Sequence, residues 1–257
     1  MINSMTINKQ KTLVSIFSST LTIFLLFIGW IILSTTKNNT LIYPTISQIF
    51  EEFGNIFKTN ALKSFGYSLY RLLVSIIISF GIAFVIMSLY LVRKWTFGFI
   101  SPIIKIMRSV PFVSFSIFVL LIFGNEYSPY IIATLVIVPI MVDGLKGGLD
   151  QIDRNLTDEL ALLNVGFFKK MLFVYLPILF PTIVTLILQT FGLGFKVMVM
   201  GEYLSQTPIS IGKELYNAKS YLDMDVLIAW TIMIVIITGI VEFVVNFIKN
   251  RYNYLNN

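Results

Sequence analysis

The chain has few side chains able to do chemistry, and their distribution decides much. Its 257 residues include no cysteine and no histidine. Disulfides, thiolate nucleophiles, zinc sites and imidazole acid–base catalysis are therefore excluded. The charges that stand out lie within or beside long apolar runs: Lys196, Asp143, Glu242 and Arg71. A charge at bilayer depth costs about 2.5–3.5 kcal/mol on insertion scales, so each needs a reason. Lys196 lies deepest, in a run that carries Gly192 and Gly194 and leads to Glu202. Six positions separate Lys196 from Glu202, too far around a helix for the two to pair. Arg71, at one end of its run, is expected to snorkel to the boundary. Asp143 and Glu242 are expected to pair with Arg251 or a loop lysine. No carboxylates cluster at one interface as a membrane enzyme would require, and no metal site is expected.

A second group of residues can act through contact. Ile152, Leu156, Leu160 and Leu163 recur at helical spacing, with Asp153, Arg154, Thr157 and Asp158 on the other faces. This pattern predicts a short amphipathic helix in water. Asn164-Val165-Gly166 then offers residues suited to a left-handed turn. A second helix is expected from residue 167, entering an apolar run near Leu176-Pro177. The helix–turn–helix should project from a membrane.

That membrane is required by composition. Hydrophobic residues make up 56% of the chain and charged residues only 12%, about half the charged share of an ordinary soluble domain. A crossing needs roughly 20 apolar residues. The runs at 13–34, 62–92, 112–123, 130–145, 171–200 and 226–248 predict about six crossings in an all-α membrane protein. The run at 112–123 is short and is expected to borrow the preceding turn, while the amphipathic segment at 95–109 should lie at an interface with Lys105 and Arg108 in water. Gly124-Asn125-Glu126 should turn the chain back. The stretch at 46–57, capped by Tyr43-Pro44-Thr45, should lie on the outer surface. The net charge of +6 is spread between apolar runs, which speaks against nucleic acid as a partner. Twelve Lys and Arg fall on the side of the 146–170 loop and five on the other. The positive-inside rule then places that loop and both termini in the cytoplasm of a cell-membrane protein.

The stretch Asp158-Glu159-Leu160-Ala161-Leu162-Leu163-Asn164-Val165-Gly166, followed by Leu176-Pro177, resembles the "EAA" loop of ABC-importer permeases. Counting back from Pro177 places Asn164 at that motif's glycine position and Asp158 at its glutamate position, with no insertion. The resemblance extends from about residue 43 to 251 and is closest to the nitrate/sulfonate/taurine branch. Its further landmarks are Tyr43-Pro44-Thr45, Ser68-Leu69-Tyr70-Arg71, Arg108-Ser109-Val110-Pro111, the segment from Lys196 to Gly201-Glu202, and Ile209-Ser210-Ile211-Gly212.

The resemblance implies a type I permease fold with a cytoplasmic coupling helix, in a single domain over 1–257 with its core at about 62–248 and its coupling loop at about 151–170. It implies a subunit that passes a small solute from an extracytoplasmic binding protein to the cytoplasm. The partners would be a cytoplasmic ABC ATPase dimer, a second permease subunit forming a homodimer, and membrane lipid. ATP and Mg would be bound by the ATPase, because this chain carries no P-loop and binds no cofactor of its own. Asp158, Glu159, Leu160, Ala161, Leu163, Asn164 and Gly166 would couple to the ATPase, with Leu160 and Leu163 inserting into it. Lys196 either contacts an anionic solute or forms a structural ion pair. Gly192 and Gly194 are expected to pack closely, with the second subunit as a possible partner. The chief alternative, an ion-coupled secondary transporter, would need intramembrane acids and usually a repeat.

Overall fold

Long runs of Leu, Ile, Val and Phe without polar interruption can satisfy their backbone in lipid only as helices. The computed structural model describes residues 18, 20–22, 24–25, 27–37, 41–58, 61–162 and 166–255, except for the side chains of 154, 157–158, 161, 245–246 and 248–255. The helices in chain order are α1 (Thr20–Thr36), α2 (Ile46–Lys58), α3 (Ala61–Val92), α4 (Thr96–Ser109), α5 (Phe112–Asp150), α6 (Arg154–Leu162), α7 (Phe167–Lys170), α8 (Leu176–Ser205), α9 (Ile211–Tyr221) and α10 (Met224–Leu255). A π-helical turn, Met171–Tyr175, joins α7 to α8. Pro177 lacks an N–H and its ring crowds the carbonyl four residues back, which the wider turn accommodates.

Among the described residues, four stretches are long and apolar enough to cross a bilayer: Ala61–Val92, Phe112–Asp150, Phe167–Ser205 and Met224–Val244. The sequence predicts six, and the difference has two sources. The first expected crossing corresponds to α1, a shorter apolar helix, and residues 13–17 lie outside the described residues. The third and fourth fall within α5, which breaks at Gly124 (φ 72°, ψ −179°). The break reverses the chain. Ser128 Oγ reaches the Val119 carbonyl at 3.4 Å, whereas nine residues of straight helix would separate them by about 13.5 Å.

The arm at residues 112–123 rises only about 18 Å against a hydrocarbon core of about 30 Å. It does not gain the preceding turn as expected, because Val110 and Pro111 are both extended and separate it from α4. Gly124 is the residue that permits the reversal, since L side chains rarely adopt its positive φ. Gly124→Val is expected to destabilise the protein by 1 kcal/mol or more, roughly. A lowered midpoint for thermal unfolding in detergent would show it. Nothing lies within 4 Å of a Cβ built there, so the cost is conformational, not steric.

α3, the long arm of α5, and α8 form the core. Ser64, Ser68, Leu72, Ser75, Ser79, Ala83 and Met87 line the buried face of α3. Ser75 and Ser79 each donate to the carbonyl four residues back, and also reach the Tyr130 and Thr134 carbonyls of α5. Small hydroxylated residues thus let two helices approach without unpaired polar groups. Phe195, Met198 and Trp230 are the large buried side chains of α8 and α10. At the start of α2, Thr45 and Gln48 cap each other reciprocally, as the sequence suggests. Ile77, Phe99, Leu121 and Phe243 are among many large apolar side chains left exposed, as suits a surface facing lipid or other subunits.

Candidate functional site

Two regions use the polar residues of this chain. The first is a buried cluster where three segments distant in sequence converge. Glu202, near the end of α8, is fully buried. Its Oε1 accepts from the Arg71 guanidinium at 2.9 Å, and its Oε2 accepts from Ser68 Oγ at 2.7 Å and from the Gly212 N–H at 3.3 Å. Arg71 also donates to the carbonyls of Ile209 and Pro208 at 3.1 Å each. Ser68 Oγ accepts from the Ile211 N–H, and Ser64 of the same α3 stripe donates to Glu214 of α9. Arg71 is therefore not a snorkelling residue. It is only 7% exposed and forms the ion pair that joins α3 to α8.

The loop between α8 and α9 is held by the same groups. Gln206 and Ile209 both have positive φ, 50° and 48°. For a β-branched residue such as Ile209 that conformation is strained. The Arg71 contacts to Pro208 and Ile209 help to hold it. Ser210 caps α9 by accepting from the Lys213 N–H.

The second region is the helical connection after α5. Asp153 Oδ1 accepts from the Asn155 N–H at the start of α6. Leu156 is half-buried and Leu160 is buried, 7% exposed, so the expected apolar stripe faces the protein. Lys170 Nζ donates to the Leu160 carbonyl and ties α7 back to α6. Leu160 is thus unavailable to insert into a partner, contrary to the expectation. Leu162, 87% exposed, and Phe168, 82% exposed, are the most exposed of the described apolar side chains of α6 and α7, with Phe167 exposed to a lesser degree. Glu159 is exposed beside them. Asp158 and Ala161 are helical in backbone, and Leu163 and Asn164 lie outside the described residues. Gly166 caps α7 with φ −57° and ψ 144°, an extended conformation and not the expected left-handed one.

The remaining candidates are dispersed. Gly194 packs within the chain: a Cβ there would meet Ile137 Cδ1 at 2.9 Å and Leu72 Cδ1 at 3.0 Å. A Cβ at Gly192 would meet Thr238 Cγ2 of α10 at 3.5 Å, an ordinary van der Waals contact. Their partners are intrachain, so neither glycine needs a second subunit to explain it. Lys196 is exposed and makes no ion pair among the described residues. Asp143 pairs with Arg108 and with no loop lysine among the described residues, and the side chain of Arg251 lies outside those described. Glu242 is exposed.

Sequence reasoning missed the role of Arg71 as the partner of Glu202, and with it the Gly212 N–H that also bonds Glu202 and the neighbouring Ser64–Glu214 pair. The available signal was the spacing of Ser64, Ser68, Ser75 and Ser79, which marks one polar face along α3 and places Arg71 beside it.

These features define a multi-pass α-helical membrane protein whose buried charges join helices. No group of three or more acidic, His or Cys residues suited to a metal ion occurs among the described residues. Residues 76–254 match the model of the family described as binding-protein-dependent transport system inner membrane component, and the chain belongs to that family. It is a transmembrane permease subunit of an ABC importer, in which ATP hydrolysis belongs to a separate chain. Such subunits work with an ATPase and a solute-binding protein. The secondary-transporter alternative is not favoured. Among solved structures, a chain of the MetNI methionine ABC transporter in an inward-facing conformation has the same type I fold. It is 19% identical with a TM-score of 0.58, over 71% of this chain and 93% of that one. No curated protein matches.

Proposed function

We propose that this permease subunit passes a small solute from an extracytoplasmic binding protein to the cytoplasm, driven through α6 and α7 by a cytoplasmic ABC ATPase dimer. The observation that carries the coupling is the exposure of Leu162 and Phe168 on a connection whose Leu160 is buried. Large apolar side chains presented on a polar helical segment suit a protein groove. Glu159 adds a charge at the rim, and Gly166 starts the second helix. Asp158, Ala161, Leu163 and Asn164 belong to the same proposed segment by sequence.

The lysine and arginine asymmetry supports a cytoplasmic position for this connection and both termini. Rigid-body movement of α6 and α7 would then shift α5 and α8, which they join, between inward-open and outward-open arrangements. The core at about 62–248 is proposed to act as one domain within 1–257. A homodimer is proposed, with the exposed apolar faces of the core divided between a second copy and lipid. ATP and Mg would be held by the ATPase. The order of the landmarks supports the nitrate/sulfonate/taurine branch.

Copurification with the cognate ATPase tests the coupling. Leu162→Asp and Phe168→Asp are expected to reduce recovery of the complex at least tenfold, roughly, while the permease itself keeps its unfolding midpoint. Recovery equal to wild type for both variants would exclude this docking face. Leu160→Asp cannot serve as the test, because it places a carboxylate in a buried site and should damage the connection directly.

A further inference from the structure

Lys196 of α8 and Lys219 of α9 line one open cleft of about 490 Å³, together with Val199, Met200, Leu215 and the α10 residues Leu227, Thr231 and Ile234. Tyr203 completes it, and Lys219 Nζ lies 6.0 Å from the centre of the Tyr203 ring. No carboxylate lines the cleft.

Three of the four acids on α8, α9 and α10 are otherwise engaged, and the fourth, Glu242, lies eight residues beyond Ile234, about 12 Å further along α10. Glu202 is bonded to Arg71, Ser68 and Gly212 on the buried side of α8. Glu214 accepts from Ser64, and Asp225 accepts from the Val226 N–H. Neither Lys196 nor Lys219 forms an ion pair among the described residues. Lys196 lies nine residues before the end of α8, about 13.5 Å along the helix. At that depth an ammonium without a counter-charge is costly, whereas an incoming anion would offset the cost.

We infer that this cleft is a binding site for an organic anion: a carboxylate, sulfonate or phosphate head held between Lys196 and Lys219, and an apolar body against Val199, Met200, Leu227 and Ile234. The depth of Lys196 rests on the membrane-permease reading, and the site gives that reading a class of solute. Thr231 does not compete for the head, because its hydroxyl donates to the Leu227 carbonyl. The same chemistry would recognise the head of an anionic lipid, and the two sources can be separated.

Radiolabelled benzoate is titrated against the full chain in phosphatidylcholine nanodiscs, without an ATPase, so that failure here leaves the docking of α6 and α7 untouched. Saturable binding is expected. Lys196→Gln and Lys219→Gln should each weaken it about tenfold or more, Lys196→Arg should retain most of it, and benzamide should not compete. Both lysines are exposed, and unchanged thermal unfolding of the variants would confirm that the fold is intact. A parallel set of nanodiscs contains phosphatidylglycerol. Competition that disappears in the lysine variants would identify a lipid head as an occupant of the same anion site, and undiminished benzoate binding would identify a soluble anion. If benzoate does not saturate and phosphatidylglycerol shows no lysine-dependent retention, or if binding is equal in wild type and both glutamine variants, the inference is wrong.

Discussion

Glu202→Ala is expected to cost about 3–5 kcal/mol, the range for removing one partner of a buried ion pair. The loss is large because the Arg71 guanidinium would keep its burial and lose its counter-charge, while Ser68 Oγ and the Gly212 N–H would lose an acceptor. Only the neutral carbonyls of Pro208 and Ile209 would remain to Arg71. Chemical or thermal unfolding in detergent measures the change. Glu202→Gln should fall between the two, since an amide oxygen can still accept but brings no charge. Arg71→Met combined with Glu202→Leu should be less damaging than the sum of the single changes, because no charge is stranded. A Glu202→Ala protein as stable as wild type, or strictly additive effects in the cycle, would show that the pair does not hold α3 to α8.

Gly212→Ala should be nearly as severe, by a different mechanism. A Cβ at this position would lie 2.3 Å from the Tyr203 backbone nitrogen and 2.5 Å from Glu202 C and Cβ. Backbone cannot swing aside as a side-chain tip can, so α9 must move away from α8. Overpacking alone costs about 1–3 kcal/mol, and the displacement would also stretch the 3.3 Å bond from Gly212 to Glu202. Gly147→Ala is the control. Nothing lies within 4 Å of a Cβ there, and alanine is the better helix former, so stability should hold or rise slightly. Equal behaviour of the two variants would refute the close approach of α8 and α9.

Both predictions concern residues that stand out in the sequence for other reasons. Ser68 to Arg71, Gly201-Glu202 and Ile209 to Gly212 appear along the chain as separate landmarks more than 130 positions apart at the extremes. In the fold they are one cluster. Arg71 shows the limit most clearly: near the end of an apolar run, a long cationic side chain is equally compatible with reaching water or with finding a buried acid. Hydropathy cannot distinguish these, because both satisfy the charge. Leu160 and Leu162 show the same limit at α6, where periodicity identified the apolar stripe through Leu156 and Leu160 but a helix in water has no label for which apolar residue meets its own chain and which meets another.

What the sequence by itself determined is therefore local and compositional. Apolar runs of bilayer length can form only helices in lipid, and the absence of cysteine and histidine excludes the chemistry that depends on them. The proline and glycine positions marked where helices start or turn, including the reversal at Gly124. Tertiary structure alone decided the pairings: Arg71 with Glu202, Arg108 with Asp143, Gly194 with Leu72 and Ile137, and Lys196 with Lys219 across a cleft. Secondary structure depends on neighbours within a few residues, whereas a charge chooses its partner by where packing places it in space.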